Sequence, residues 1–302
     1  MKNNSVQKTI RISGSSDAPK MSAGAETTSA LPASSNSSSG SNSSSNSRGT
    51  RPTEYISLGA GPPQEIDGEV VEEALACISV NGQELATFMC SPRELDWMAL
   101  GFLYNEGLIE SRDDVRALHI SRNDTCVDVW LQDVNVELPQ RAIVTAGCGG
   151  GITFDDLSQQ HAPLTSDLRA APSRLATLMR QMHQGAELYQ RARGIHTAIL
   201  ADNEDILVQV EDVGRHNCLD KLAGAALVKD IPTRGRLLMS SGRISSEMLN
   251  KARRLETPIV CSRTSPTSLS VALAEAWNIT IVAYLRQGRM RVYTHPERIP
   301  LE

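Results

Sequence analysis

From Thr197 onward, short β-prone runs alternate with segments of helical length, and this alternation narrows the fold more than any other property of the chain. Strands are expected near Thr197–Leu200, Ile206–Val210, Leu237–Ser240, Ile259–Cys261, Ile279–Leu285 and Met290–Tyr293, with helices near Leu219–Val228, Ser246–Leu255 and Thr267–Trp277. Strands interleaved with helices of about ten residues point to an α/β class, a mixed sheet with helices on both faces. Upstream, Leu175, Leu178, Met179, Met182, Ala186 and Tyr189 fall close to the i, i+3, i+4, i+7 spacing of a buried helical stripe that starts at Pro172 and ends at Gly194.

A smaller α+β hairpin and helix part precedes this unit. Val70 to Val80 and Gln83 to Cys90 are β-prone runs joined by Asn81-Gly82, a pair that tolerates the positive φ of a two-residue type I′ turn. Ser91-Pro92-Arg93-Glu94 has the form of a capping box and predicts a helix through Leu95, Leu100 and Phe102 that stops at Gly107. A second hairpin is expected from Ala117–Ile120 and Thr125–Leu131, and a short strand at Ala142–Thr145. Before all of this, residues 34–47 hold ten Ser, three Asn and one Gly, too little apolar surface to offset the entropy of ordering them. The expected organisation is a disordered arm over 1–52, an α+β part over 53–140 and an α/β domain over 141–302.

The 30 Lys and Arg against 35 Asp and Glu leave a net charge of −5, so no general attraction to nucleic acid or an anionic membrane is expected, and any anion site must be local. No run approaches the ~18 apolar residues of a membrane span, and the N-terminus leads into no apolar targeting core, so a cytoplasmic location is expected. Six cysteines without a C-x-x-C pair argue against a disulfide framework, and reduced thiols are expected. Neither H-E-x-x-H nor the zinc-deaminase signature is present, so no metal site is expected.

Chemistry concentrates first in Thr145-Ala-Gly-Cys148-Gly-Gly-Gly151. Four glycines around one thiol remove side-chain cover and let a partner approach the sulfur, which suits a nucleophile; a structural Cys in a Gly-rich turn is the plain alternative. A Cys-dependent hydrolase with His196 or His216 as base is a further reading, although no oxyanion motif accompanies it. Three strand-to-helix junctions then share a pattern: Glu211 to Asn217 with Arg215 and His216, Ser240 to Ser246 with Ser241 and Arg243, and Cys261 to Ser268 with Arg263 and Thr264. Each places an Arg and small donors where a helix N-terminus exposes N–H groups, a favourable place for phosphate, whereas ordinary N-capping explains any one of them alone. The turn Tyr284-Leu285-Arg286-Gln287-Gly288-Arg289 adds two guanidinium groups to the same edge.

These strings resemble the FdhD-type formate dehydrogenase accessory sulfurtransferases. The resemblance runs from about Glu69 to the C-terminus and rests on Val80-Asn-Gly, Gly101-Phe-Leu with Glu106-Gly107, Glu211-Asp-Val-Gly-Arg-His-Asn217 with Leu219-Asp-Lys221, Ser241-Gly-Arg243, and Ser262-Arg-Thr-Ser-Pro-Thr267. It implies an α/β sandwich similar to cytidine deaminases without their zinc. It also implies a sulfur relay in which a cysteine desulfurase places a persulfide on Cys148, and the sulfur passes to a molybdenum bis(guanine dinucleotide) cofactor bound at Tyr284 to Arg289, before formate dehydrogenase receives it. A homodimer is compatible with the resemblance, and a cofactor-binding chaperone without sulfur chemistry is the competing function. Many members carry C-x-x-C in the loop, whereas this chain has Gly151 at the second position, so a disulfide within the loop is excluded and a single-thiol relay is not.

Overall fold

The computed structural model describes residues 49–121, 126–139 and 161–301, with the backbone alone at 143–144 and 152–153. The expectations placed on residues 1–48 of the Ser-rich arm and on Cys148 fall outside these residues, whereas Thr50, Arg51 and Pro52, expected to end the disordered arm, are already strand, because they pair with Val71, Val70 and Glu69. The described chain enters as a hairpin of β1 (Thr50–Ser57) and β2 (Gln64–Val71), then continues into β3 (Ala74–Val80) and β4 (Gln83–Cys90). The single run expected over Val70 to Val80 is therefore two strands. Asn81 and Gly82 have φ of 51° and 82°, the backbone of the anticipated type I′ turn.

Helix α1 (Leu95–Asn105) does not start from the expected capping box. Its N-cap is Glu94, in left-handed backbone at φ 53° with no side-chain cap. Ser91 is engaged elsewhere: its N–H donates to Asp212 Oδ2 (3.0 Å), its Oγ accepts from the Val213 N–H (3.2 Å), and its carbonyl accepts from Lys221 Nζ (3.1 Å). Tertiary partners more than a hundred residues away override the local signal.

β5 (Val115–Ile120) and β6 (Cys126–Leu131) complete a four-stranded sheet in the order β4-β3-β6-β5. Alternate residues Ala76, Ile78, Val80, Phe88, Val127 and Val129 share a buried cluster with Met98, Phe102 and Leu103 of α1. β3 and β6 run parallel with Cys77 opposite Cys126, Cα atoms 4.4 Å apart, and the two sulfurs are bonded. This corrects the expectation of reduced thiols throughout: the pair is 49 residues apart in sequence and meets only through the crossover that places β6 beside β3. β7 (Ile143–Val144) and β8 (Ile152–Thr153) then pair antiparallel, so the chain departs into residues 145–151 and returns at one short ladder.

The helical stripe from Pro172 is divided into α2 (Pro172–Gly185) and α3 (Glu187–Ala192). The break has a cause downstream: both Glu211 carboxylate oxygens accept backbone N–H groups at the start of α3, from Leu188 and Tyr189, at 2.9 Å each. β9 (His196–Ala201), β10 (Ile206–Asp212), α4 (Arg215–Val228), β11 (Leu237–Ser240), α5 (Ser246–Arg254), β12 (Ile259–Ser262), α6 (Ser268–Ala276), β13 (Thr280–Arg286) and β14 (Arg289–Val292) follow the expected alternation closely. They form a mixed sheet ordered β10-β9-β11-β12-β13-β14, with β11, β12 and β13 parallel and the other pairings antiparallel.

Both faces of this sheet are covered. Ala198, Leu200, Leu238, Val260 and Ile281 join Leu219, Leu222 and Leu249 of α4 and α5 on one side. Ile199, Met239, Ile259, Cys261 and Val282 meet Leu175, Leu178 and Met182 of α2 on the other. The two sheets are tied where α1 crosses α4. A methyl group on Gly101 would strike the Asp220 carbonyl, and one on Gly224 would strike the Trp97 carbonyl, so the crossing requires glycine on both helices. Among the described residues no helix is long and apolar enough to cross a membrane.

Candidate functional site

Strand register brings all three junctions to one edge. Asp212 lies opposite His196, Ser240 opposite both Ala198 and Ser262, and Cys261 opposite Val282. The carboxyl ends of β10, β11, β12 and β13 and the start of β9 therefore lie together, where ligands of α/β sheets commonly bind.

The first junction is built on a buried carboxylate. Asp212 Oδ1 accepts from the Gly214 N–H and from Asn217 Nδ2 at 2.8 Å each, and Oδ2 lies 2.7 Å from Lys221 Nζ. This fixes the turn from which Arg215 and His216, both buried, begin α4. His216 Nε2 is 3.3 Å from Ser245 Oγ and 3.3 Å from Glu247 Oε2. Burial, reinforced by Arg215, Lys251, His196 and Arg243, pushes the His216 imidazole down to about 2. Burial, with Arg215, also lowers His196. Both rings are held toward the neutral form, chiefly by burial, with Arg215 the leading charge beside each.

At the second junction Ser241 Oγ accepts from the Thr197 N–H (3.0 Å) and lies within hydrogen-bond distance, 3.2 Å, of His196 Nδ1. A Cβ on Gly242 would sit 2.9 Å from Arg215 Cβ and 3.4 Å from His196 Nδ1. Glycine is what lets the β11 loop close over these side chains. Ser245 accepts from the Met248 N–H and Thr267 from the Ser270 N–H, so these two hydroxyls are ordinary helix caps. Arg243 is exposed at the same loop.

The third junction and the terminal turn make a separate cavity of about 570 Å³. Its lining includes Arg263, Leu285, Arg286, Gln287 and Gly288, all candidates from the sequence. Arg286 Nε donates to the Arg263 carbonyl (2.7 Å), which holds the guanidinium over the cavity mouth. Gln287 and Gly288, with φ of 50° and 76°, turn the chain in two residues. Tyr284, at φ 52°, is a bulge whose N–H donates to the Thr264 carbonyl (2.9 Å), and it shifts the β13–β14 register so that Leu285 faces the cavity. Arg289 is exposed beyond the turn, and Arg291 stacks on the Tyr284 ring at 4.4 Å.

The wall supplied by α2 was not anticipated. Ala176, Met179, Arg180 and His183 of α2 line the same cavity at i, i+3, i+4 and i+7. Arg180 and His183 read in the sequence only as the polar side of a regular stripe, and which sheet face α2 covers is not legible from spacing. Arg263 Nη1 lies 3.5 Å from His183 Nδ1, and burial, then Arg263 and Arg193, lowers that imidazole. Three guanidinium groups and no carboxylate line this cavity. The expected residues thus divide in two: Arg263 and the 285–288 turn in the cavity, and Arg215, His216, Ser241 and Arg243 in a cluster at the β9–β11 edge.

The five described cysteines offer no free exposed thiol. Cys77 and Cys126 are bonded to each other. Cys90, Cys218 and Cys261 are buried, and burial pushes Cys90 up to about 12 and raises the other two further above the usual thiol range. Among the described residues, no group of three or more His, Cys, Asp or Glu side chains is arranged to hold a metal ion.

Comparison with known proteins places this arrangement. The model of the FdhD/NarQ family matches residues 70–300. The sulfur carrier protein FdhD of Bacillus subtilis is 34% identical over 244 residues, covering 79% of this chain and 93% of that protein. Its Staphylococcus aureus (strain MRSA252) namesake is 34% identical over 259 residues, covering 81% and 97%. A crystal structure described as a formate dehydrogenase accessory protein from Desulfotalea psychrophila superposes with a TM-score of 0.72 at 29% identity, covering 83% of this chain and 99% of that one. With a match that spans both sheets and every junction of the edge, the chain belongs to the FdhD/NarQ family.

Proposed function

We propose that this protein is a sulfur carrier for formate dehydrogenase maturation, taking persulfide sulfur from a cysteine desulfurase on Cys148 and passing it to a molybdenum bis(guanine dinucleotide) cofactor held as substrate. The observation that carries the reading is the state of the cysteines. A relay needs a thiolate that a partner can reach, and the five other cysteines are either bonded or buried with raised thiols. Cys148, flanked by four glycines between β7 and β8, is left for the role.

The edge supplies the substrate side. The cavity of about 570 Å³ is of a size for one nucleotide rather than a whole double cofactor, and Arg180, Arg263 and Arg286 match a diphosphate. Met179, Ala176 and Leu285 give a flat base an apolar wall. Arg215, beside His196 and His216 that are held toward the neutral form, adds positive charge at the neighbouring junction. In the transfer step the persulfide S–S bond would break, its electron pair would return to Cys148 as the thiolate, and the outer sulfur would reach the metal substrate as zero-valent sulfur, the two electrons that bring it to the sulfide level coming from that reduced metal.

The test is mass spectrometry after incubation with a cysteine desulfurase and cysteine. One added sulfur on the peptide that contains Cys148 is expected. Absence of that adduct, with dehydrogenase maturation retained in Cys148→Ser, would leave a cofactor-binding chaperone as the function.

A further inference from the structure

The disulfide lies on the face of the outer sheet opposite the α1 core. Ala76, Ile78, Val127 and Val129 point into that core, so by strand alternation Cys77 and Cys126 point away from it, and both are half-buried rather than enclosed. Their Cα atoms are 4.4 Å apart at the first pair of the parallel β3–β6 register, which continues through Ile78–Val127 and Ser79–Asp128, and Cys77 is also paired with Thr87 of β4 on its other side. Reduction of this bond therefore leaves two thiols fixed within reach of each other on an accessible face. Among the described residues no other pair of cysteines is so placed.

We propose that Cys77 and Cys126 are a redox pair that consumes sulfane sulfur when reduced and closes as the disulfide in doing so. A persulfide donor R–S–SH transfers its outer sulfur to Cys77, giving R–SH and Cys77–S–SH. The Cys126 thiolate then attacks the inner Cys77 sulfur, the S–S bond to the outer sulfur breaks, and HS⁻ leaves. The two cysteines lose two electrons, the sulfane sulfur gains them, and each chain yields one sulfide and one disulfide. The oxidant is the persulfide itself. Once closed, the pair is silent toward further persulfide, and sulfur arriving on the protein has a single thiol to occupy. A sulfur carrier with an open pair on its surface loses its first sulfur as sulfide; one with the pair closed does not.

The proposal rests on the sulfur-relay reading only for its physiological donor, and its chemistry is tested apart from Cys148. The full chain carrying Cys148→Ser is reduced, freed of reductant under nitrogen and treated with glutathione persulfide. One equivalent of sulfide per chain and a 77–126 disulfide in the peptide map are expected. In the same background Cys126→Ser should release no sulfide and retain a persulfide on Cys77, a species that only a missing partner thiol leaves standing. Cys90→Ser in that background is the control and should release sulfide as the parent does. Two unreacted thiols at 77 and 126, or sulfide release that persists in Cys126→Ser, overturns the proposal. Circular dichroism of each variant separates loss of reaction from loss of fold, and the peptide map of the parent reports the disulfide without any substitution in the pair.

Discussion

Asp220 Oδ1 receives the Lys251 ammonium from α5 at 2.5 Å and the Asn105 amide from α1 at 2.8 Å, so one buried carboxylate on α4 joins three helices. Burial raises the Asp220 carboxyl, Lys251 and Asn105 oppose that rise, and the charge survives only with its partners in place. Lys251→Met should therefore lower unfolding stability by about 3–5 kcal/mol. The double change Asp220→Asn with Lys251→Met should cost less than Lys251→Met alone, because no unpaired charge is left inside. Urea titration of the three proteins reads both numbers.

Acid should destabilise the fold before its carboxylates titrate. His216 has its folded value depressed to about 2, and His196 is lowered as well, while each imidazole in the unfolded chain takes a proton below about 6.5. The unfolded state then binds more protons than the folded one, so stability present at pH 7 is lost as pH falls below 6.5. The slope should approach about 1.4 kcal/mol per pH unit for each fully neutral buried ring between pH 6 and 5. Urea midpoints at pH 7.5, 6.5 and 5.5 measure it, and His216→Asn should flatten the dependence.

The cavity beside the 285–288 turn predicts which cations bind guanosine diphosphate. Arg180→Ala, Arg263→Ala and Arg286→Ala should each weaken binding by about 1–3 kcal/mol, the range for a charged hydrogen bond to phosphate. Arg234→Ala, at a side chain 71% exposed and paired with Glu256, should leave it unchanged. Calorimetric titration at two salt concentrations should also show weaker binding at the higher one.

Cysteine substitutions should sort by burial. Cys148→Ser should abolish formate dehydrogenase maturation with fold and nucleotide binding intact. Cys218→Ser and Cys261→Ser place a hydroxyl in fully enclosed sites and should lower stability by about 1–3 kcal/mol without ending maturation. Dehydrogenase activity in cells, read beside thermal melts of each variant, distinguishes the two classes.

The alternation from Thr197 onward was legible because each strand and helix there carries its own periodicity and ends on its own turn chemistry, and the observed elements agree with it to within a few residues. What the sequence hid depends on distant partners. Ser91 reads as a cap until Asp212, Val213 and Lys221 claim it. The stripe from Pro172 reads as one helix until Glu211 caps a second. Cys77 and Cys126 read as separate thiols because no pattern in either strand says that β6 crosses back to lie beside β3. At the edge, the Arg-bearing junctions were visible one by one, but their division between a cavity and a separate cluster follows from strand order, and the α2 wall from the face that helix covers.

Where α1 crosses α4, main chain touches main chain at Gly101 and Gly224. Side chains at most helix contacts act as springs, since they change rotamer and absorb small shifts. At these two points no spring is interposed. The spacing of α1 and α4 is set there by backbone alone, so the outer sheet is held at one fixed distance from the helix whose first turn carries Arg215 and His216.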